Sequence, residues 1–313
     1  MSAADRFCPV GGGIELCYRT HGPAEGRPLL LLAGLGLDLT SWPALLLDGL
    51  EEAGFRVIRF DNRDSGRSTH LDTPPPSKLR QLSARSRPED YDLGDMAADT
   101  LGLMDSLALD RVDLVGMSMG GMIAQTLSAR HPDRVRTLTS IFSTTGSRRV
   151  GQPAGSTLVR MARRPARTPD AFAQRHLSTL RHIGSTTYPF DERAERAWAL
   201  EAWARGRGLA RAEGAARQIA AIRKSGDRTE EVRGITAPTL VVHGDRDRMV
   251  HPSGGEATAA AIPGARHEVV PGMRHHLAPG LVPRLLELIL EHMSDADPSG
   301  PAGDPGQEDR AGG

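Results

Sequence analysis

The sequence predicts an α/β protein with a mostly parallel, doubly wound central sheet, helices on both faces and a helical cap. Three observations carry that expectation. Short apolar runs alternate along the chain with runs whose apolar residues recur at helical spacing. The runs Leu29-Leu30-Leu31-Leu32 and Leu240-Val241-Val242 are apolar without alternation, as in strands covered on both faces. Finally, the strand signals stop between residues 147 and 233, where helical patterns rich in Ala, Arg and Leu take over.

Taken in order, Cys8 and Cys17 flank Gly11-Gly12-Gly13 in what reads as an N-terminal hairpin. The two would face each other only if the loop took four residues. Buried free thiols are the expectation, with neither a disulfide nor a metal site. Strands are expected near 14–19, 28–32, 55–60, 111–115, 135–141, 239–243 and 268–270, and helices at 42–53, 93–107, 119–131 and 283–292. Residues 73–90 contain Pro74-Pro75-Pro76 and several basic side chains, and read as a long surface loop or a mobile edge of the site. Further helices are expected at 170–182, 191–205 and 209–224. The chain then divides into a core, 1–146, an inserted helical cap, 147–233, the second part of the core, 234–293, and a tail, 294–313. That tail has no aromatic or branched aliphatic residue, so it cannot bury enough surface to offset the cost of ordering and is expected to be disordered.

Composition narrows the function. Of 313 residues, 39% are hydrophobic and 25% charged, with a mean hydropathy of -0.35, which suits a folded water-soluble protein. No uncharged apolar stretch reaches the about 18 residues of a membrane span, and residues 1–10 lack a basic flank followed by an apolar run; a cytoplasmic location is expected. With 39 Lys+Arg against 39 Asp+Glu there is no cationic excess for nucleic acid. Locally, residues 148–217 hold fourteen Arg against six acids. A solvated helical surface is the plainer reading of that bias, and a lid attracting acidic substrates the sharper one. Because Lys78 and Lys224 are the chain's lysines, the preference for Arg is general and favours the plainer reading.

The chemistry centres on Gly116-Met117-Ser118-Met119-Gly120, which follows the apolar run Val112-Asp113-Leu114-Val115 and opens a helical pattern. That is the strand-turn-helix setting of a nucleophile elbow, where a serine on a tight, strained turn brings the flanking glycines into contact. A serine hydroxyl is a weak nucleophile and needs a base, which in turn needs an orienting acid. After the late strand, His243-Gly244-Asp245-Arg246-Asp247 offers two acids. Asp247 lies deeper in the loop and is taken as the orienting acid, with Asp245 stabilising the turn; a metal site on His243, Asp245 and Asp247 lacks a further ligand at a suggestive spacing. The base follows the last strand in Pro271-Gly272-Met273-Arg274-His275-His276, where both histidines are open on residue type alone. Oxyanion donors are expected from the N–H of Met119 and, in the loop Ala33-Gly34-Leu35-Gly36, from the N–H of Leu35. Asp61 and Arg63 are expected to hold the loop behind the elbow through a charge-assisted bond.

Together, the elbow, the run Asp61-Asn62-Arg63-Asp64-Ser65-Gly66-Arg67-Ser68, His243-Gly244-x-x-Asp247 and Pro271-Gly272-Met273-x-His275 resemble the α/β-hydrolase superfamily over about residues 14–293. Within it the chain is similar to bacterial esterases of the aclacinomycin methylesterase type, to which Tyr188-Pro189-Phe190-Asp191 also points. The resemblance implies an α/β-hydrolase fold, a cofactor-free serine esterase acting on small-molecule esters, and a histidine after Gly-Met-Gly, which falls on His275. Two positions depart from the pattern: Ala33 stands where many members have His, and Arg274 replaces the usual Gly. The implied triad is Ser118, Asp247 and His275. In the cap, Trp198 and Trp203, with Leu177, Leu180 and Leu200, are candidates to line an acyl or polycyclic pocket, with His276 at its entrance; cap-to-core packing is the plainer reading of the tryptophans. A catalytically silent ligand-binding protein on the same scaffold would be expected to lose one member of the triad.

Overall fold

The computed structural model describes residues 4–75 and 87–296. Eight strands, β1 (Arg6–Gly11), β2 (Ile14–His21), β3 (Arg27–Leu32), β4 (Phe55–Phe60), β5 (Val112–Met117), β6 (Val135–Ile141), β7 (Thr239–Gly244) and β8 (Arg266–Val270), form one sheet among the described residues. Their order is β1-β2-β4-β3-β5-β6-β7-β8. Only β2 runs against its neighbours; from β4 to β8 every pairing is parallel.

Helices α1 (Ala44–Glu52), α2 (Leu93–Ser106), α3 (Met119–Arg130), α9 (Ser253–Ala261) and α10 (Val282–Asp295) cover the two faces. The leucine run shows how. Leu30 and Leu32 join Ile58, Phe60 and Leu114 in packing against α2 and α3, whereas Leu29 and Leu31 join Val57 and Val115 against α1 and α10. Because successive side chains leave a strand on opposite faces, a central strand between two helical layers must be apolar throughout. All four leucines are fully buried, and each such burial contributes about 1.5–3 kcal/mol.

In the hairpin, Cys8 sits opposite Leu16 and Cys17 opposite Phe7, so the loop does not bring the thiols together. Both are buried and free. Burial, then Asp61 and Asp5, push the Cys17 thiol up to about 12, which leaves it unreactive near neutral pH. No helix among the described residues is long and apolar enough to cross a membrane.

Between β6 and β7 lie α4 (Gly155–Met161), α5 (Pro169–Ile183), α6 (Glu192–Arg205), α7 (Ala210–Ser225) and α8 (Thr229–Val232). The three long ones match the sequence expectation within a residue at each end. Each of α5 and α6 begins on a capping side chain, Thr168 accepting from Ala171 N and Asp191 from Arg193 N. The short α4 and α8 carry too few turns for a periodic signal. Of the loop expected at 73–90, residues 76–86 lie outside the described residues, as do 297–313 of the expected tail; α10 continues to Asp295, two residues into that tail.

The arginine-rich surface needs correcting. Arg205, Arg211 and Arg217 are not solvated: they are withdrawn from water and join the helices between β6 and β7 to acids near β1 and in the loops after β3 and β4. Arg205 donates to Asp5 and Asp61, both at 2.7 Å. Arg217 holds Asp64 through two bonds of 2.9 and 2.7 Å. The expected Asp61–Arg63 bond is absent. Arg63 is bidentate to Asp99, while Asp61 accepts from the N–H groups of Leu39 and Arg67 and from Arg205.

Burial, then the Asp38 carboxylate, push Asp61 up to about 6 despite these donors. Since that value exceeds the unfolded one, the folded state takes up the proton. The stability this group contributes is full below about pH 4 and lost as the pH rises through about 6. Urea unfolding at stepped pH should show that Asp61→Asn removes a decline in stability across this window. Parallel profiles for the two proteins would refute the assignment.

Candidate active site

The order β4-β3-β5 places a topological switch point between β3 and β5, where connections leave the sheet in opposite directions and open a crevice at the strands' carboxyl ends. Ser118 stands there, between β5 and α3. Its backbone, at φ 54 and ψ -119, lies where a side chain is strained. Two bonds hold the turn: Ser118 N donates to Ile141 O at 2.9 Å, and Ser143 Oγ donates to Ser118 O at 2.8 Å.

The elbow's glycines have steric causes. A Cβ on Gly116 would collide with Gly120 O, and one on Gly120 would collide with Leu32 O and stand 2.8 Å from Ala33 O. Backbone cannot yield as a flexible side chain does. Gly120→Ala should therefore cost at least about 1–3 kcal/mol and displace Ser118 from its partner, as chemical denaturation together with an ester assay would show.

His275 Nε2 lies 3.0 Å from Ser118 Oγ, and its Nδ1 lies 2.7 Å from Asp247 Oδ2. An ionised carboxylate only accepts, so Nδ1 carries the hydrogen and Nε2 is left to accept from the serine. Asp247 Oδ1 takes the N–H groups of Met249 and Val250 at 2.7 and 3.0 Å. Burial pushes its carboxyl up, but His275 and His243 outweigh this and hold it well below the usual carboxylate range. His243 Nε2, 3.5 Å from Asp247, donates to Val250 O. Asp245 instead accepts from Gly272 N at 2.6 Å, tying the two loops that carry Asp247 and His275. His243 and Asp247 thus face each other and share Val250, whereas Asp245 has a separate partner.

His275 is held from two further sides. Its backbone N–H donates to Ile183 O at the end of α5 at 3.1 Å, and the Phe142 ring packs on the imidazole with centroids 4.4 Å apart. Phe142 adopts φ 38, a strained value for an aromatic residue. Nothing in the sequence singles it out.

Among the described residues the N–H groups of Leu35 and Met119 have no hydrogen-bond partner. Met119 opens α3, so its amide is one of the unpaired donors at a positive helix end. The Leu35 loop is a turn closed by Leu37 N to Gly34 O at 3.1 Å, and it lies against the Ser118 side chain. Free amides beside the serine are of the kind that can bind a developing oxyanion.

Trp198 Nε1 donates to Thr40 Oγ1 at 3.0 Å, and Trp203 packs on Phe172 with centroids 5.6 Å apart. No hydrogen bond or ring contact joins either tryptophan to Ser118, His275 or Asp247 among the described residues. His276 Nε2 pairs with Glu195 Oε1 at 3.0 Å, and His176 takes the other oxygen at 2.7 Å. Leu177 and Leu180 are buried residues of α5.

Comparison with known proteins extends this picture. The family described as the alpha/beta hydrolase fold matches residues 27–278. The rhodomycin D methylesterase DnrP of Streptomyces peucetius is 28% identical over 274 residues, covering 81% of this chain and 86% of its own. The putative carbamate hydrolase RutD of Variovorax paradoxus (strain S110) is 37% identical over 125 residues, 40% of this chain and 41% of its own. Among solved structures, the enol-lactonase from Burkholderia xenovorans LB400 superposes with a TM-score of 0.72 at 26% identity, over 92% of this chain and 100% of that one.

Proposed function

The chain belongs to the α/β-hydrolase family, and from that premise we propose that it is a carboxylic ester hydrolase using Ser118, His275 and Asp247. The observation that carries the reading is the unbroken line from Ser118 Oγ to His275 Nε2 at 3.0 Å and from His275 Nδ1 to Asp247 at 2.7 Å.

Ser118 Oγ attacks the ester carbonyl while its proton passes to His275 Nε2. The carbonyl oxygen becomes an oxyanion, bound by the N–H groups of Leu35 and Met119. Collapse of the tetrahedral intermediate breaks the ester C–O bond, and His275 returns the proton to the departing alkoxide. Water, deprotonated by His275, then cleaves the acyl-enzyme and frees Ser118. Throughout, Asp247 holds the imidazole in one tautomer and stabilises its charged form.

Residues 147–233 act as the cap over this site, their segment 183–188 docking on the His275 loop through Ser185 Oγ to Gly272 O at 2.6 Å and Arg274 to Gly184 O at 3.1 Å. The substrate is a small-molecule ester, and the similarity to a methylesterase over 81% of this chain favours a methyl ester of a polyketide-like compound. The likeness to an enol-lactonase supports a second reading, opening of a lactone, which the same attack accomplishes because a lactone is a cyclic ester.

The test is a fluorophosphonate probe with mapping of the modified peptide. Rapid labelling at Ser118, lost in His275→Ala, is expected; labelling elsewhere or none would overturn the reading. Methyl esters and lactones assayed side by side then separate the two substrate classes.

A further inference from the structure

Two side chains of α7 grip one residue of the loop after β3. Gln218 Oε1 accepts from Gly36 N at 2.9 Å, and Arg211 donates to Gly36 O. Seven residues apart, they project from the same helix face. Gln218 is fully buried, and its Nε2 donates to Arg63 O and Ser65 Oγ, both at 2.9 Å. With acceptors on one side and a donor on the other, its amide has one satisfactory orientation. Arg211 is fixed as firmly: it donates to Ala202 O at 3.1 Å, lies 3.4 Å from Asp38 Oδ2, and stacks over Phe172 and Trp198.

Gly36 needs such support. It takes φ +65, a conformation that glycine enters and leaves freely, and its open side faces Ala215 of α7, whose Cβ would lie 3.5 Å from a Cβ on Gly36. Next to it is Leu35, whose N–H is unpaired beside Ser118. A donor to an oxyanion is effective only if held in place before charge develops, and a turn loose at Gly36 would let the Leu35 amide wander.

We propose that Gln218 and Arg211 are positioning residues that fasten the Leu35 loop to the cap, so that the oxyanion hole is complete only while α7 is seated. The consequence for catalysis rests on the ester-hydrolase reading above. The cap then does more than cover the substrate: its docking decides whether the second amide donor is aimed.

The experiment compares Gln218→Met and Arg211→Met with the wild type in three measurements: kcat and KM on p-nitrophenyl butyrate, affinity for an aryl trifluoromethyl ketone, whose serine adduct bears an oxyanion, and amide exchange of the peptide spanning 33–37. In each variant kcat should fall about 10- to 100-fold with KM within about threefold, and ketone affinity should fall by the same factor. Exchange at 33–37 should accelerate. If one variant fails to fold, the other decides. A folded variant with wild-type kcat and ketone affinity overturns the proposal, as does a loss confined to KM or to Tm. A wild-type protein that neither hydrolyses esters nor binds the ketone would instead sink the esterase reading, and the exchange data would still report whether the clamp holds the loop.

Discussion

Ser118→Ala, His275→Ala and the variant carrying both should lose ester turnover to nearly the same extent, on the order of 10⁴-fold or more in kcat. The reason is the geometry of a single proton path. Ser118 Oγ reaches its base over 3.0 Å, and without the imidazole the hydroxyl keeps its proton; without the hydroxyl the imidazole has nothing to activate at the carbonyl. Removing the second partner after the first therefore costs little more. The residual rate belongs to the two amides and to substrate binding, which none of the substitutions touches. Stability should barely change for Ser118→Ala, because the turn is held by the backbone of Ser118 and not by its hydroxyl. Steady-state kinetics and thermal denaturation of the three variants check both parts. Losses that multiply in the double variant would mean the residues act independently, and an active Ser118→Ala would remove the serine from the mechanism.

Features repeated along the chain are legible in the sequence, whereas features set by tertiary partners are not. Leu29-Leu30-Leu31-Leu32 reads as a strand covered on both faces because each residue meets one of two helical layers. Ser118 and Asp247 can be singled out as candidates because each follows an apolar strand at a loop of distinctive composition, whereas His275 is chosen over His276 only through the family resemblance. That the three loops lie side by side is a consequence of strand order, which no local pattern carries. The same limit explains Asp61 and Arg63: adjacency in a motif suggests a mutual bond, yet Arg63 turns to Asp99 on α2 and Asp61 to Arg205 of the cap, 144 residues away. Nor can composition separate Arg205, Arg211 and Arg217 from their solvated neighbours, since burial of a cation depends on an acid waiting in the core. Gln218 has no sequence signal at all. It is one amide on a polar-looking helix until the Gly36 loop is set against it.

Arg205→Met should destabilise the protein by about 3–5 kcal/mol. Only 8% of the Arg205 side chain is exposed, and it faces Asp5, Asp61 and Asp38, whose carboxyls are 7%, 0% and 0% exposed. Taking these charges out of water is costly, and their attraction to the guanidinium offsets the cost; deleting the cation leaves Asp5 to Arg19 and Arg67 and Asp38 to Arg211, but leaves Asp61 buried beside Asp38 without its cationic partner. An exposed pair in the same cap gives the contrast. Arg196 meets Asp170 at 2.6 Å with 46% and 70% of the two side chains exposed, and Arg196→Met should cost no more than about 1 kcal/mol. Urea unfolding of both variants distinguishes a charge that anchors the cap from one that decorates it. The decisive comparison adds Asp61→Asn to Arg205→Met, which removes one uncompensated charge and should recover part of the lost stability, a coupling expected of groups in direct contact. A small cost for Arg205→Met, or a double variant no more stable than the single one, would show that the cap is held elsewhere. If the recovery appears, a cap arginine and the core acids form one energetic unit. Seating of α6 and α7, and with it the hold on the Leu35 loop, would then depend on charges buried behind the site.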